Sequence, residues 1–185
     1  GREAHDRTSM ALGAGQEALI RAVRAANPRT VVVLQTSYPM TSQPDAPGVL
    51  WTTHAGAETG HALADVLYGG RNPGGRLTQT WYRSADQLPA DLNQYDIIKS
   101  GLTYLYSKQK PLHPFGYGLS YTSFRYGKPV VAAGRVSVPV TNTGRRAGDE
   151  VVQLYTHQRT SRDRTAGVRA GTRAAARSAE HTSEL

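Results

Sequence analysis

The sequence predicts a layered α/β domain, followed by the start of an antiparallel β-sandwich and by a disordered tail. Three observations support this fold class: helical and strand patterns are interleaved up to residue 82, a period-two alternation begins after residue 123, and large apolar residues become rare after residue 158. A chain of 185 residues is long enough for one domain with a sizeable core and part of another.

The first regular element is a helix over residues 16–26, in which apolar side chains recur near helical spacing. Glu17 and Arg21 form a favourable pair four residues apart on this helix. Pro28 ends the helix, because proline cannot continue it and disfavours the α conformation in the residue before it.

Two strands and a second helix follow. Residues 30–34 (TVVVL) form a continuous β-branched run, which predicts a strand buried on both faces in a parallel sheet. Residues 49–53 (VLWTT) predict a second strand, and residues 58–68 predict a helix that ends at Gly69. Its inner face is expected to carry Ala62, Leu63, Val66 and Leu67. This order of elements is typical of a layered α/β domain.

The second region has the pattern of an antiparallel β-sandwich. Residues 136–141 (VSVPVT) alternate with period two, residues 142–144 (NTG) form a turn, and residues 150–155 (EVVQLY) predict another strand. The sandwich pattern stops after His157.

The last segment, residues 159–185, contains only two large apolar residues, Val168 and Leu185. It cannot bury enough surface to order itself, so we expect it to be disordered. It is either a natural basic tail or sequence that is not native to the protein. The loss of pattern in the middle of a domain favours the second interpretation.

Composition limits the functional classes. The formal net charge is +8, which is compatible with nucleic-acid binding. However, the arginines of residues 159–177 are separated by small residues without aromatic side chains, and no nucleic-acid-binding motif is present, so no nucleic-acid partner is expected. The absence of cysteine excludes disulfides and thiolate metal sites. No apolar run approaches the roughly 18–20 residues that would span a membrane.

Four blocks in order resemble glycoside hydrolase family 3, the β-glucosidase and β-xylosidase type. They are EAHDR at residues 3–7, LWTTHAGAETGHALADVLYGGRNPGGRL at residues 50–77, PFGYGLSYTSFRY at residues 114–126, and VPVTNTGRRAGDEVVQLY at residues 138–155. The resemblance covers about residues 3–157 and implies a C-terminal fragment of a larger enzyme, without the N-terminal barrel domain of the parent chain.

The resemblance also implies a domain plan. Residues 1–122 would be the C-terminal part of the family's α/β sandwich domain with its linker. Residues 123–158 would be an incomplete fibronectin-III-like domain. Residues 159–185 lie beyond the resemblance and form the tail that composition predicts to be disordered and not native.

The resemblance implies Glu3 as the catalytic acid/base, because family members carry this residue in a loop similar to E-x-x-D-R. Family members have Gly where this chain has Ala4, which is a departure from the pattern. Asp6 and Arg7 could pair and brace the loop, and His5 is a candidate substrate-binding residue beside the sugar. The nucleophile, an Asp, would lie on the barrel of the parent chain.

Other polar residues are better explained by structural roles. Glu58 stands at a predicted helix start, where a carboxylate suits the helix dipole. His54 and His61 lack the spacing of a zinc helix, so no metal site is predicted. Trp51 and Trp81 could stack on sugars, but at strand positions we expect them to pack in the core.

The resemblance implies a retaining, exo-acting β-glycosidase that hydrolyses terminal β-linked glucose or xylose from a small glycoside or oligosaccharide, without a cofactor. The isolated fragment is expected to be inactive. Two alternatives stay open at this point: a non-catalytic carbohydrate-binding or scaffolding module, and a basic interaction protein that acts through its Arg-rich tail.

Overall fold

The computed structural model describes residues 7–91, 93–157, 167–176 and 182–184. The chain divides into two compact units. The first unit comprises residues 1–57 and 79–115, and the second comprises residues 58–78 and 116–185. This grouping assigns residues 58–78 to the same unit as the predicted sandwich, whereas the sequence suggests a boundary between residues 122 and 123. That domain boundary stays a prediction.

The first unit begins with helix α1, Ala14–Ala26. The Gln16 side chain accepts a hydrogen bond from the Gly13 amide at 3.1 Å and so satisfies one donor of the first turn. The predicted pair of Glu17 and Arg21 is present, with 3.9 Å between Oε2 and Nη1. The helix ends at Ala26, as Pro28 predicts.

Strands β1 (Val31–Gln35) and β2 (Gly48–Thr52) pair in parallel, with Val33 opposite Leu50. Val32 and Leu34 are buried, but Val31 is 48% exposed. The prediction that this strand is buried on both faces is therefore wrong. The described sheet of the first unit has two strands, and a ribbon that narrow leaves part of one face open to solvent.

The remainder of the first unit, residues 79–115, is mostly irregular. Its described residues form a 3₁₀ turn, Ala85–Gln87, and a short helix, α3, Thr103–Tyr106. An antiparallel bridge joins Trp81 to His113 and holds the two ends of this stretch together.

The second unit begins with helix α2, Thr59–Leu67, which is followed by Gly69 with φ +78°. A positive φ is costly for residues with a Cβ, so glycine suits this position after a helix. On the predicted inner face, Leu63 and Val66 are half-buried. Ala62 is exposed and Leu67 is 44% exposed, so the buried face is narrower than the sequence predicts.

The described strands of the second unit form two groups. Their bounds are β3 Phe124–Tyr126, β4 Val130–Ala132, β5 Arg135–Asn142, β6 Gly148–His157, β7 Gly167–Ala176 and β8 Thr182–Glu184. Strand β5 pairs antiparallel with β3, β4 and β8, and β6 pairs antiparallel with β7. Val138 and Val140 of β5 form a core with Val152 of β6, and Phe124 packs against it.

Strands β7 and β8 lie in the segment for which the sequence predicts disorder. The backbone of β7 pairs with β6 along its whole length, which differs from the prediction over those ten residues. The other residues of 159–185 lie outside the described ranges, so the disorder of the segment as a whole stays a prediction. Over the part of the chain that is described, no helix combines the length and apolar character needed to cross a membrane.

Candidate active site and its surroundings

Glu3 and His5, the predicted acid/base and substrate-binding residues, lie outside the described residues, which begin at Arg7. Their roles stay predictions. Asp6 lies outside as well, so its expected pairing with Arg7 is not tested. The Arg7 guanidinium donates a hydrogen bond to the Ala11 carbonyl oxygen, which stabilises a turn directly after the predicted catalytic loop.

The stem of that loop is anchored to another part of the first unit. The Thr41 amide donates to the Met10 carbonyl at 3.1 Å. The Leu12 amide donates to Ser42 Oγ at 2.7 Å, and this hydroxyl in turn donates to Glu17 Oε1 at 2.9 Å. The chain that leaves the predicted catalytic loop is therefore fixed, within ten residues of Glu3, to the first turn of α1.

Two tryptophans pack together in the first unit. The rings of Trp51 and Trp81 meet edge to face at 5.5 Å between centroids. Trp81 is 4% exposed, which confirms the expected core position for this residue. Trp51 Nε1 donates to Thr36 Oγ1 at 3.0 Å, so its one polar group has a partner.

His113 lies against this aromatic pair, with its ring centroid 6.0 Å from that of Trp81. Burial, and then the positive charge of Arg83, lowers the pKa of His113 below its ordinary value of 6.5. The imidazole is therefore neutral at pH 7. Sequence reasoning did not single out His113, because no motif around it suggests chemistry.

A groove of about 440 Å³, lined by both charged and apolar residues, runs along α2 and the turn after it. His61 Nδ1 lies 2.7 Å from Glu58 Oε2, and Arg71 Nε lies 3.6 Å from Asp65 Oδ2. The His61 and Glu58 side chains are each more than 80% exposed, and a polar contact so open to water contributes little stability. Among the described residues, no three potential metal-binding side chains are grouped closely enough to hold an ion.

Sequence reasoning missed a partly buried charged network in the second unit. Arg76 Nη2 lies 2.7 Å from Glu150 Oε2, and the two side chains are 11% and 13% exposed. The Tyr126 hydroxyl donates to Glu150 Oε1 at 2.7 Å. Burial, and then this hydrogen bond, raises the pKa of Tyr126. The NPGGRL motif contains Arg76, but a partner 74 positions away is not visible from local patterns.

Comparison with known proteins gives a consistent result. The model of the glycosyl hydrolase family 3 C-terminal domain matches residues 1–121. A β-xylosidase from Formosa agariphila is 40% identical over 166 residues, which cover 83% of this chain and 23% of the relative. A periplasmic β-glucosidase from Salmonella typhimurium is 36% identical over 176 residues, which cover 83% of this chain and 23% of the relative.

Solved structures of β-glucosidases also match this chain over almost its whole length. β-Glucosidase 3B from Thermotoga neapolitana, in complex with glycerol, matches with a TM-score of 0.85 and 28% identity, over 99% of this chain and 30% of that one. A β-glucosidase from Erythrobacter marinus matches with a TM-score of 0.82 and 35% identity, over 100% of this chain and 26% of that one. The chain spans less than a quarter of the length of the first curated relatives. Since the family model covers well over half of the 185 residues, this chain belongs to glycosyl hydrolase family 3, a family of glycoside hydrolases.

Proposed function

We propose that this chain acts as the C-terminal part of a retaining, exo-acting β-glycosidase that removes terminal β-linked glucose or xylose. The observation that carries the proposal is the family match over residues 1–121, which includes the E-x-x-D-R sequence at residues 3–7. The names of the relatives, β-xylosidase and β-glucosidase, support the two candidate sugars.

The proposed reaction needs two carboxyl groups about 5–5.5 Å apart. A carboxylate nucleophile attacks the anomeric carbon, while an acid protonates the leaving oxygen. The acid then becomes the base that activates water, and water cleaves the glycosyl-enzyme intermediate. We assign the acid/base role to Glu3 and the nucleophile to an Asp on a barrel domain of the parent protein.

The anchored stem supports this assignment from the side of this chain. A general acid must be held within hydrogen-bond reach of the leaving oxygen, so the loop that carries it must be firmly attached to the rest of the domain. The hydrogen bonds from Thr41 to Met10 and from Leu12 to Ser42 provide this attachment. His5, two positions after Glu3, would line the sugar pocket. The reaction uses water as second substrate, and we propose no cofactor.

The direct test is Glu3→Gln in the full-length parent protein. Loss of acid/base catalysis should lower kcat about 10²–10⁴-fold on an aryl β-glycoside with a poor leaving group. A substrate with a good leaving group needs no protonation, so its first step should survive. Added azide, which needs no general base, should restore turnover and yield a β-glycosyl azide.

The matched control is Glu58→Gln, which changes an exposed carboxylate on the same chain and should keep wild-type kcat. If Glu3→Gln keeps full activity and shows no azide effect, the assignment of Glu3 fails. The isolated 185-residue chain should not hydrolyse aryl β-glucosides or β-xylosides. Turnover by this chain alone would contradict the need for a nucleophile on the barrel.

A further inference from the structure

We propose that the strands of the second unit hold α2 and its following turn in their folded conformation, so that both order and unfold together. Residues 58–78 are termed the α2 segment, and residues 116–157 are termed the strand segment. The proposal concerns the conformational behaviour of the chain and does not depend on the assignment of Glu3.

Helix α2 has few means of stabilising itself. It has nine residues, and isolated helices shorter than about 12–15 residues are marginal in water. Among the described side chains, none caps its N-terminus, and none of its nine residues is buried. Its order must therefore come from contacts outside the helix.

Two side chains of the strand segment satisfy carbonyl groups at the C-terminal end of α2. Arg146 Nη1 donates to the Gly69 carbonyl oxygen at 2.7 Å, and the Tyr121 hydroxyl donates to the Val66 carbonyl oxygen at 2.8 Å. The Arg146 guanidinium also lies 5.8 Å from the centre of the Tyr121 ring, within range of a cation–π interaction. The Val66 carbonyl also accepts from the Gly69 amide at 3.1 Å, so Tyr121 adds a second donor at the helix end, and Arg146 supplies a donor to the first carbonyl beyond the C-cap residue, Tyr68.

The turn after α2 is bound to the same strand segment. Asn72 Oδ1 accepts hydrogen bonds from Ser120 Oγ at 3.0 Å and from the Tyr121 amide at 2.7 Å. One amide side chain therefore joins the turn to two successive residues that lie next to the helix end. Without the strand segment, this oxygen would lose both donors.

Backbone hydrogen bonds also join the α2 segment to the strand segment. The Leu77 amide donates to the Tyr117 carbonyl at 2.8 Å, and the Gly116 amide donates to the Leu77 carbonyl at 2.7 Å. Gly118 lies so close to this turn that a Cβ at its position would clash with the Gly75 carbonyl oxygen. Only glycine allows this approach, so the two backbones are fitted to each other.

The ion pair of Arg76 and Glu150 also joins the α2 segment to the strand segment. If the α2 segment separated from the strands, Glu150 would lose its charged partner and the helix end would lose its side-chain donors. Both segments therefore depend on one interface, and opening one part of it exposes polar groups in the rest. This dependence is the physical basis of a single cooperative unit.

Hydrogen exchange on the full chain tests the proposal through Arg146→Ala. Removal of a charged hydrogen-bond donor should speed exchange of the amides of residues 64–71 about tenfold or more. Amides of β5 should exchange faster by a similar factor, because the two segments unfold together. Amides of α1 and β1 should keep their wild-type rates. The matched control is Arg145→Ala, which removes an adjacent, exposed arginine and should leave all these rates unchanged.

A milder variant covers the case in which Arg146→Ala prevents folding. Tyr121→Phe keeps the ring and removes only the hydroxyl that donates to Val66, so exchange over residues 64–71 should rise about fivefold. The proposal is overturned if Tyr121→Phe leaves exchange over 58–78 unchanged. It is also overturned if exchange rises to the same extent in α1 and β1, because the effect would then be global.

Discussion

Exposed ion pairs occur in both units, but among the described residues a largely buried ion pair occurs only in the second. In the first unit, Glu17 and Arg21 lie 3.9 Å apart on the surface of α1, with side chains 40% and 67% exposed. In the second unit, Arg76 and Glu150 are 2.7 Å apart and only 11% and 13% exposed. Water screens the first pair and barely reaches the second. Position in the fold, more than the presence of an ion pair, therefore decides how much each pair contributes to stability.

The units also differ in how they cover apolar surface. Leu19 and Val23 of α1 are 63% and 46% exposed, and Val31 of β1 is 48% exposed. In the second unit, Val138, Val140 and Val152 are each less than 10% exposed and share one core. Strand β4 of the same unit leaves Val130 and Val131 59% and 74% exposed, so burial in the second unit is concentrated at this core and does not extend along all of its paired strands.

Removing one member of the Arg76–Glu150 pair should destabilise the chain more than any other substitution considered below. Glu150→Ala leaves the Arg76 guanidinium buried without its partner, which should lower the free energy of unfolding by about 3–5 kcal/mol. The surface counterpart, Arg21→Ala, should change it by about 0–0.5 kcal/mol. Urea unfolding followed by far-ultraviolet circular dichroism measures both. Equal effects of the two substitutions would remove the distinction between the units.

The next effect concerns the close backbone approach in the second unit. Gly118→Ala places a Cβ against the Gly75 carbonyl and should destabilise the chain by about 1–3 kcal/mol. The comparison in the first unit is Gly15→Ala in α1, where the added Cβ would meet no described atom within 4 Å. That change should stabilise by about 0.5–1 kcal/mol. If thermal unfolding gives the same sign for both, the fitted approach at Gly118 is not real.

The smallest effect is a pH dependence in the first unit. The pKa of His113 is lowered from 6.5, so below about pH 6.5 the unfolded chain binds a proton that the folded chain does not. Stability should therefore fall as the pH drops from about 7.5 to about 5. Both tryptophans, Trp51 and Trp81, belong to the first unit, so their fluorescence during urea unfolding reports on it.

His113→Gln should flatten this pH dependence, since glutamine does not titrate. The control is His54→Gln, at an exposed histidine of the same unit. A slope that persists unchanged in His113→Gln would show that another group is responsible.

Local patterns predicted the elements well and the contacts poorly. The predicted strand at residues 30–34 is displaced by one residue from Val31–Gln35, and the helix predicted at 58–68 is one residue longer at each end than Thr59–Leu67. Proline, glycine and β-branched runs act over a few residues, so they can be read from the sequence. Burial of Val31 depends on how many strands and helices cover β1, and the local sequence does not contain that information.

The motif at residues 50–77 was also easier to recognise from the sequence than the contacts that its residues make. The motif at residues 50–77 led to the family, yet the roles of Asn72 and Arg76 depend on partners that lie 48–74 positions away along the chain. Such pairings follow from the folded path and not from residue spacing. The roles of Glu3 and His5 came from the resemblance, and they stay predictions.

The stereochemistry of sugar release by the full-length parent protein tests whether it is a retaining β-glycosidase. Proton NMR during the first minutes of hydrolysis of an aryl β-glucoside or β-xyloside identifies the anomer formed before mutarotation. A retaining mechanism predicts that the β-anomer appears first. Initial formation of the α-anomer, or no hydrolysis of either glycoside, would contradict the proposed function.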